Sequence, residues 1–161
     1  MTAIHITDFL RPWTFKDLLH NLPDATKGTA DPGRSRHMIS NDYLTKLGQL
    51  LETRANQLFC ENDIKSSYSL YCKYYGKASM NMHKDDNACT YTIDLCVRQT
   101  EPWGLWVEDQ EYIMNPNDAV CYYGNDQVHG RHAKDLGLDG SVELVFFHYV
   151  RPDHWFFTRK E

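Results

Sequence analysis

His83-Lys84-Asp85 and His129 are the residues of this chain whose types and spacing could do metal chemistry. In an extended segment, two side chains separated by one residue point the same way. The imidazole of His83 and the carboxylate of Asp85 can therefore converge on one ion. A second imidazole from a distant strand completes a two-His-one-carboxylate face, the ligand set of non-haem Fe(II) oxygenases, which leaves positions open for a co-substrate and dioxygen. Eight His among 161 residues make a lone His-x-Asp uninformative, and a surface loop that holds both is the competing reading. The context around His129 adds weight. Residues 116–128 read as a turn (Pro116-Asn117-Asp118), a strand from Ala119 to Tyr123 and a Gly124 turn, with His129 opening the next strand. The 46 positions from His83 to His129 leave room for several short strands, enough for a double-stranded β-helix to bring both imidazoles to one mouth.

The elements that must position these residues fall into two groups. Residues 12–22 predict a helix, with Phe15, Leu18, Leu19 and Leu22 in one stripe, Thr14 and Asp17 spaced as a capping box, and Pro23 as the stop. Residues 24–39 hold two Gly, a Pro-Gly pair, and Lys27, Arg34, Arg36 and His37. They predict a flexible loop that could fold over an anionic substrate, or simply be solvated. A second helix is expected over 41–60, where Tyr43, Leu44, Leu47, Leu50, Leu51 and Leu58 recur at helical spacing and Ser40, Asn41 and Asp42 can cap the start. From there the chain turns to Tyr, Val, Ile, Phe, Trp and Cys at 66–75, 89–98, 104–108, 119–123 and 142–150, separated by turn clusters. Helices followed by many short strands predict a mainly β sandwich or barrel with the N-terminal helices packed on one face. The expected organisation is a single domain over 1–161, with helical support at 1–65 and the β core at 66–150.

Composition excludes several classes. Seventeen basic residues against 22 acidic ones give a formal charge of −5, which argues against a nucleic-acid binder. Hydrophobic residues at 42% supply a core. Five dispersed cysteines without a C-x-x-C pair argue against a disulfide framework and for a reducing compartment. The opening residues carry no secretory pattern and no apolar run is long enough for a membrane span, so a cytoplasmic protein is expected. No nucleophile elbow, Walker loop, dinucleotide fingerprint or His-Glu-x-x-His motif is present.

An ordered set of segments adds a resemblance. Tyr71-Cys-Lys-Tyr-Tyr-Gly76, His83-x-Asp85, Trp103-Gly-Leu-Trp106-Val, Pro116-x-Asp118-Ala-Val-x-Tyr-x-Gly124 and His129-x-Arg131 resemble the 2-oxoglutarate/Fe(II)-dependent oxygenases, with the prolyl-hydroxylase-like branch nearest. The resemblance covers about residues 66–150. It implies a jelly-roll (double-stranded β-helix) core, and Fe(II) held by His83, Asp85 and His129. It further implies 2-oxoglutarate on the metal, with dioxygen as oxidant and ascorbate as a candidate reductant. Succinate and carbon dioxide would be released as a substrate C–H bond is hydroxylated. Asp85 sets the chain apart from the family's halogenases, which lack the carboxylate. A protein side chain such as proline, or a free amino acid, fits as substrate.

One departure stands out. The family usually places an Arg or Lys on a late strand to pair the far carboxylate of 2-oxoglutarate; residues 138–144 hold no cation, and Glu143 would repel that carboxylate. Arg131 is the expected substitute, two positions past His129 and so on the same strand face; a solvated residue beside Asp135 is its competing reading. Lys73 and Arg98 come next, with Tyr74 or Tyr91 as supporting phenols. His148 reads as a core or inner-wall residue, His132, Trp103 and Trp106 as surface or core, Asp86 as solvated and Asp118 as a turn residue. The missing cation keeps open a cupin-like metal dioxygenase that does not use 2-oxoglutarate, or a non-catalytic jelly-roll binding module.

Overall fold

The structure is a computed structural model and describes residues 2–158. In chain order its elements are β1 (Ile4–Ile6), α1 (Pro12–His20), β2 (Thr29–Asp31), β3 (Arg36–Ile39), α2 (Asp42–Leu50), α3 (Glu52–Leu58), β4 (Lys65–Tyr75) and β5 (Lys77–His83). They continue with β6 (Tyr91–Gln99), β7 (Leu105–Val107), β8 (Gln110–Tyr112), β9 (Ala119–Tyr122), β10 (His129–Asp135), β11 (Ser141–Val150) and α4 (Trp155–Thr158). Seven strands form one sheet in the order β1-β9-β6-β11-β4-β3-β2, and four form a second in the order β5-β10-β7-β8.

The large sheet separates two cores. On β11, Val145, Phe147 and Tyr149 join Ile93, Leu95 and Val97 of β6 and the helical residues Leu18, Leu44, Leu47, Ala55 and Phe59. The alternate residues Val142, Leu144 and Phe146 pack with Cys72, Tyr74 and Cys96 against Ala78, Met80, Leu105 and Val107 of the small sheet. β6 and β11 are buried on both faces along most of their length, with Thr92, Asp94, Glu143 and His148 as buried polar residues within them. This is the β sandwich with helices on one outer face that the strand pattern predicts, in the jelly-roll form that the resemblance implies.

Three local expectations change. Arg11, with no side-chain cap bond, precedes α1, and Pro12 takes the first helical position. Thr14 therefore lies inside the helix and builds no capping box. Asn41 does cap α2, accepting from the Leu44 amide at 2.9 Å, but Leu51 interrupts the expected single helix and frees Glu52 to accept from the Ser66 amide. Segment 24–39 is a sheet edge rather than a flexible loop. β3 pairs with β4 from Arg36↔Tyr74 to Ile39↔Tyr71, β2 pairs with β3, and two short 3-10 turns (Ala25–Lys27 and Pro32–Arg34) fill the rest. The Pro-Gly pair builds the hairpin turn, which Ser35 completes in the left-handed region at φ 51°.

Candidate metal centre

The β5–β10 pairing sets His83 directly opposite His129. Asp85 lies just beyond β5, anchored by its amide, which donates to the Gly124 carbonyl at 2.8 Å. His83 Nε2 is 3.1 Å from one Asp85 carboxylate oxygen and His129 Nε2 is 3.3 Å from the other. Donor atoms of the three residues lie within 4.8 Å of one another. Ligands ~2.1 Å from a shared ion at right angles stand roughly 3 Å apart, so the spacing fits a common ion.

The other ring nitrogens fix the chemistry. His83 Nδ1 donates to the Asn81 carbonyl at 2.6 Å, and His129 Nδ1 to the Gln127 carbonyl at 2.8 Å. A carbonyl only accepts, so each Nδ1 carries a hydrogen and each neutral ring presents its Nε2 lone pair inward. Two lone pairs facing a carboxylate form an electron-rich cluster that needs a cation at its centre, either a proton or a metal ion. Without a metal, hydrogen bonding to Asp85 raises the His83 pKa. Burial opposes ionisation of Asp85, but its bonds to His129 and His83 prevail and hold it well below the usual carboxylate range. The donor set and its backbone supports fit a divalent metal of the Fe(II) type.

Around the triad is a cleft of about 100 Å³, lined also by Arg34, Arg36, Tyr68, Leu70, Met80, Cys89, Tyr122, Phe146 and His148. His148 meets both readings made of it: it is buried and hydrogen-bonded to Thr92 at 3.0 Å, and it also faces the cleft. The phenol of Tyr68 contacts the Cys89 sulfur at 2.9 Å. Gly124 presses against the centre, since a Cβ there would stand 2.8 Å from an Asp85 carboxylate oxygen and 2.4 Å from the Cys89 carbonyl oxygen.

The expected carboxylate anchors lie elsewhere. Arg131 is buried, pairs with fully buried Asp94 at 2.7 Å and donates to the Trp103 carbonyl at 2.8 Å. Its charge is spent inside the core and it does not line the cleft. Strand alternation puts Lys73 on the opposite face of the large sheet, where it lines a second groove with Tyr71, Arg98 and Glu143. Arg98 is held there by both oxygens of Glu143. Tyr91 packs in the helix-side core and donates to Glu61 at 2.8 Å. Tyr74 alone of the expected phenols faces the inter-sheet side. His132 is exposed against Trp106, Trp103 is buried, Asp86 caps a 3-10 turn, and Asp118 closes its turn on the Asn115 amide.

The sequence reading put Lys27, Arg34 and Arg36 in a loop that could fold over an anionic substrate; Arg34 and Arg36 do line the cleft, from a sheet-edge hairpin rather than a flexible loop. Arg34 ends the 3-10 turn and Arg36 opens β3, with Ser35 left-handed between them, so no strand spacing announces that both reach the cleft.

Neither a family model nor a curated protein sequence matches the chain. Solved structures do. HygX from Streptomyces hygroscopicus, with nickel, 2-oxoglutarate and hygromycin B bound, is 11% identical with a TM-score of 0.65, covering 94% of this chain and 83% of that one. The viral collagen prolyl hydroxylase vCPH of Paramecium Bursaria Chlorella virus-1, in its 2-oxoglutarate complex, is 11% identical with a TM-score of 0.66, covering 92% and 96%. A Pseudomonas putida prolyl-4-hydroxylase is 14% identical with a TM-score of 0.61, covering 92% of each chain. The chain thus has the jelly-roll fold of the 2-oxoglutarate/Fe(II) oxygenases. None of its described helices is long and apolar enough to cross a membrane.

Proposed function

We propose that this protein is an Fe(II)/2-oxoglutarate-dependent oxygenase that hydroxylates a C–H bond of a protein side chain, proline among them, or of a free amino acid. The observation that carries the reading is the convergence of two Nε2 lone pairs and the Asp85 carboxylate, each imidazole locked by a backbone carbonyl. When bound, Fe(II) and 2-oxoglutarate supply oxidative decarboxylation of the keto acid by dioxygen and oxidation of a nearby C–H bond. The chain's own part is to hold the ion on one face, leave the opposite face open to the cleft, and exclude bulk water with Tyr68, Leu70, Met80, Tyr122 and Phe146. The fold common to vCPH and the prolyl-4-hydroxylase supports a peptidyl substrate. The five free cysteines fit a cytoplasmic setting.

The test is succinate release from 2-oxoglutarate under air with Fe(II). We expect slow turnover without substrate, faster turnover with a proline-containing peptide, and loss of both in His83→Ala. The apolar inner face of β11, Val142, Leu144 and Phe146, favours a second reading: a cupin-like metal dioxygenase without the keto acid. A protein whose Tm rises with Mn(II), and rises no further with 2-oxoglutarate, would be that enzyme. One that responds to neither would be a non-catalytic binding module.

A further inference from the structure

The keto acid of the reading above has a second carboxylate, and a carboxylate taken from water into a cleft of about 100 Å³ calls for a cation to receive it. The late strand β11 offers none on its inner face, and Arg131, paired with Asp94 in the core, does not line the cleft. Two arginines remain on the cleft wall, Arg34 and Arg36, both delivered by the hairpin at the sheet edge.

Register singles out Arg36. It pairs with Tyr74 of β4, and Tyr74 pairs with Val142 of β11, so the three share one row across the large sheet. Arg36 thus approaches the inner face from the neighbour on the other side of β4. Its guanidinium is oriented by two bonds: Nε donates to Asp31 at 3.1 Å and Nη1 donates to the Tyr74 hydroxyl at 2.8 Å. The side chain is only 12% exposed, and Nη2 has no partner among the described residues. Tyr74, fully buried, accepts from Arg36, while its own hydroxyl proton has no acceptor among the described residues. A guanidinium N–H and a phenol O–H, side by side and both undonated, make a receptor for one carboxylate. Arg34, on the 3-10 turn, makes no bond to a described residue, so nothing fixes its guanidinium in place.

We propose that Arg36, supported by the Tyr74 hydroxyl, binds the distal carboxylate of 2-oxoglutarate, in place of a cation on the late strand. This rests on the oxygenase reading, and the experiment separates the two. Calorimetry on the Mn(II)-loaded protein compares 2-oxoglutarate with 2-oxopentanoate, which keeps the 2-oxo acid and lacks the distal carboxylate. The wild type is expected to prefer 2-oxoglutarate by about 30-fold, the scale of a charge-assisted hydrogen-bond pair. Arg36→Gln should weaken 2-oxoglutarate by about that factor and leave 2-oxopentanoate unchanged, which also reports an intact cleft. Tyr74→Phe keeps the ring against Trp103 and should weaken 2-oxoglutarate alone, by about 5-fold. Arg34→Gln should keep the preference. If Arg36→Gln keeps the preference, or weakens both acids alike, the assignment is overturned while the oxygenase reading stands. If neither acid binds the Mn(II)-loaded wild type, the keto-acid reading falls, and this assignment with it.

Discussion

Arg131 and Asp94 show how a side chain on the expected face can be unavailable to a ligand. Both are closed to water, and each retains a buried atom without a partner among the described residues, Arg131 Nε and Asp94 Oδ1. Burial raises the Asp94 carboxyl and Arg131 opposes the rise, so removing the arginine leaves a carboxyl group in apolar surroundings. Arg131→Ala is therefore expected to lower stability by about 3–5 kcal/mol in urea denaturation. A loss under about 1 kcal/mol would show that the pair does not support the core. The candidate metal triad was legible at this scale because His83 and Asp85 converge through local geometry that two-residue spacing dictates. The proposed carboxylate anchor was not. Arg131 is spent by Asp94, 37 positions away, and Arg36, besides its nearby partner Asp31, is turned by Tyr74, 38 positions away; no local pattern announces the distant pairings.

Among the elements, the loop joining β9 to β10 bears most directly on the centre. The Gly124 carbonyl accepts from the Asp85 amide, and its missing side chain leaves space that the Cys89 carbonyl, the Thr92 hydroxyl and the Asp85 carboxylate already crowd. Gly124→Ala should push Asp85 off its position and weaken Mn(II) binding by about 10-fold, the cost of disturbing a support of a metal ligand. Calorimetric titration of the metal checks it, and unchanged affinity would mean that Asp85 tolerates the shift. Helices α1 and α2 and strands β4, β6, β9 and β11 were readable from apolar spacing, since each buries a stripe or a face. β2 and β3 were not. Ala30 and Asp31 have weak strand preference and Pro32-Gly33 reads as a turn; the two strands are extended because β4 offers an unpaired edge. β5, with Lys77, Asn81 and His83, escaped for the same reason; its partner β10 completes it.

For the molecule as a whole, acid sensitivity has a buried source. Burial brings the His148 imidazole down to about 4, against the partial opposition of Asp85 and Asp86. In the unfolded chain it titrates near its ordinary 6.5. Between these values the unfolded state takes up a proton that the native state refuses. Stability is thus fully present above about pH 6.5 and falls as the pH drops towards 4, by up to about 3 kcal/mol. Urea denaturation of the metal-free protein at pH 7 and pH 5 should show a larger loss for the wild type than for His148→Gln. An equal loss would place the acid sensitivity in other groups. The position of β11 also has a bearing on how the chain reaches this state. Strand β11 follows every other strand in the chain, yet it lies in the middle of the large sheet, between β6 and β4. Until Ser141–Val150 has left the ribosome, β4 with its N-terminal hairpin and β6 with its partners are separate pieces, each with an open inner edge. Closure therefore waits on pairings distant in sequence, which slows folding and leaves unpaired edges exposed to aggregation during synthesis.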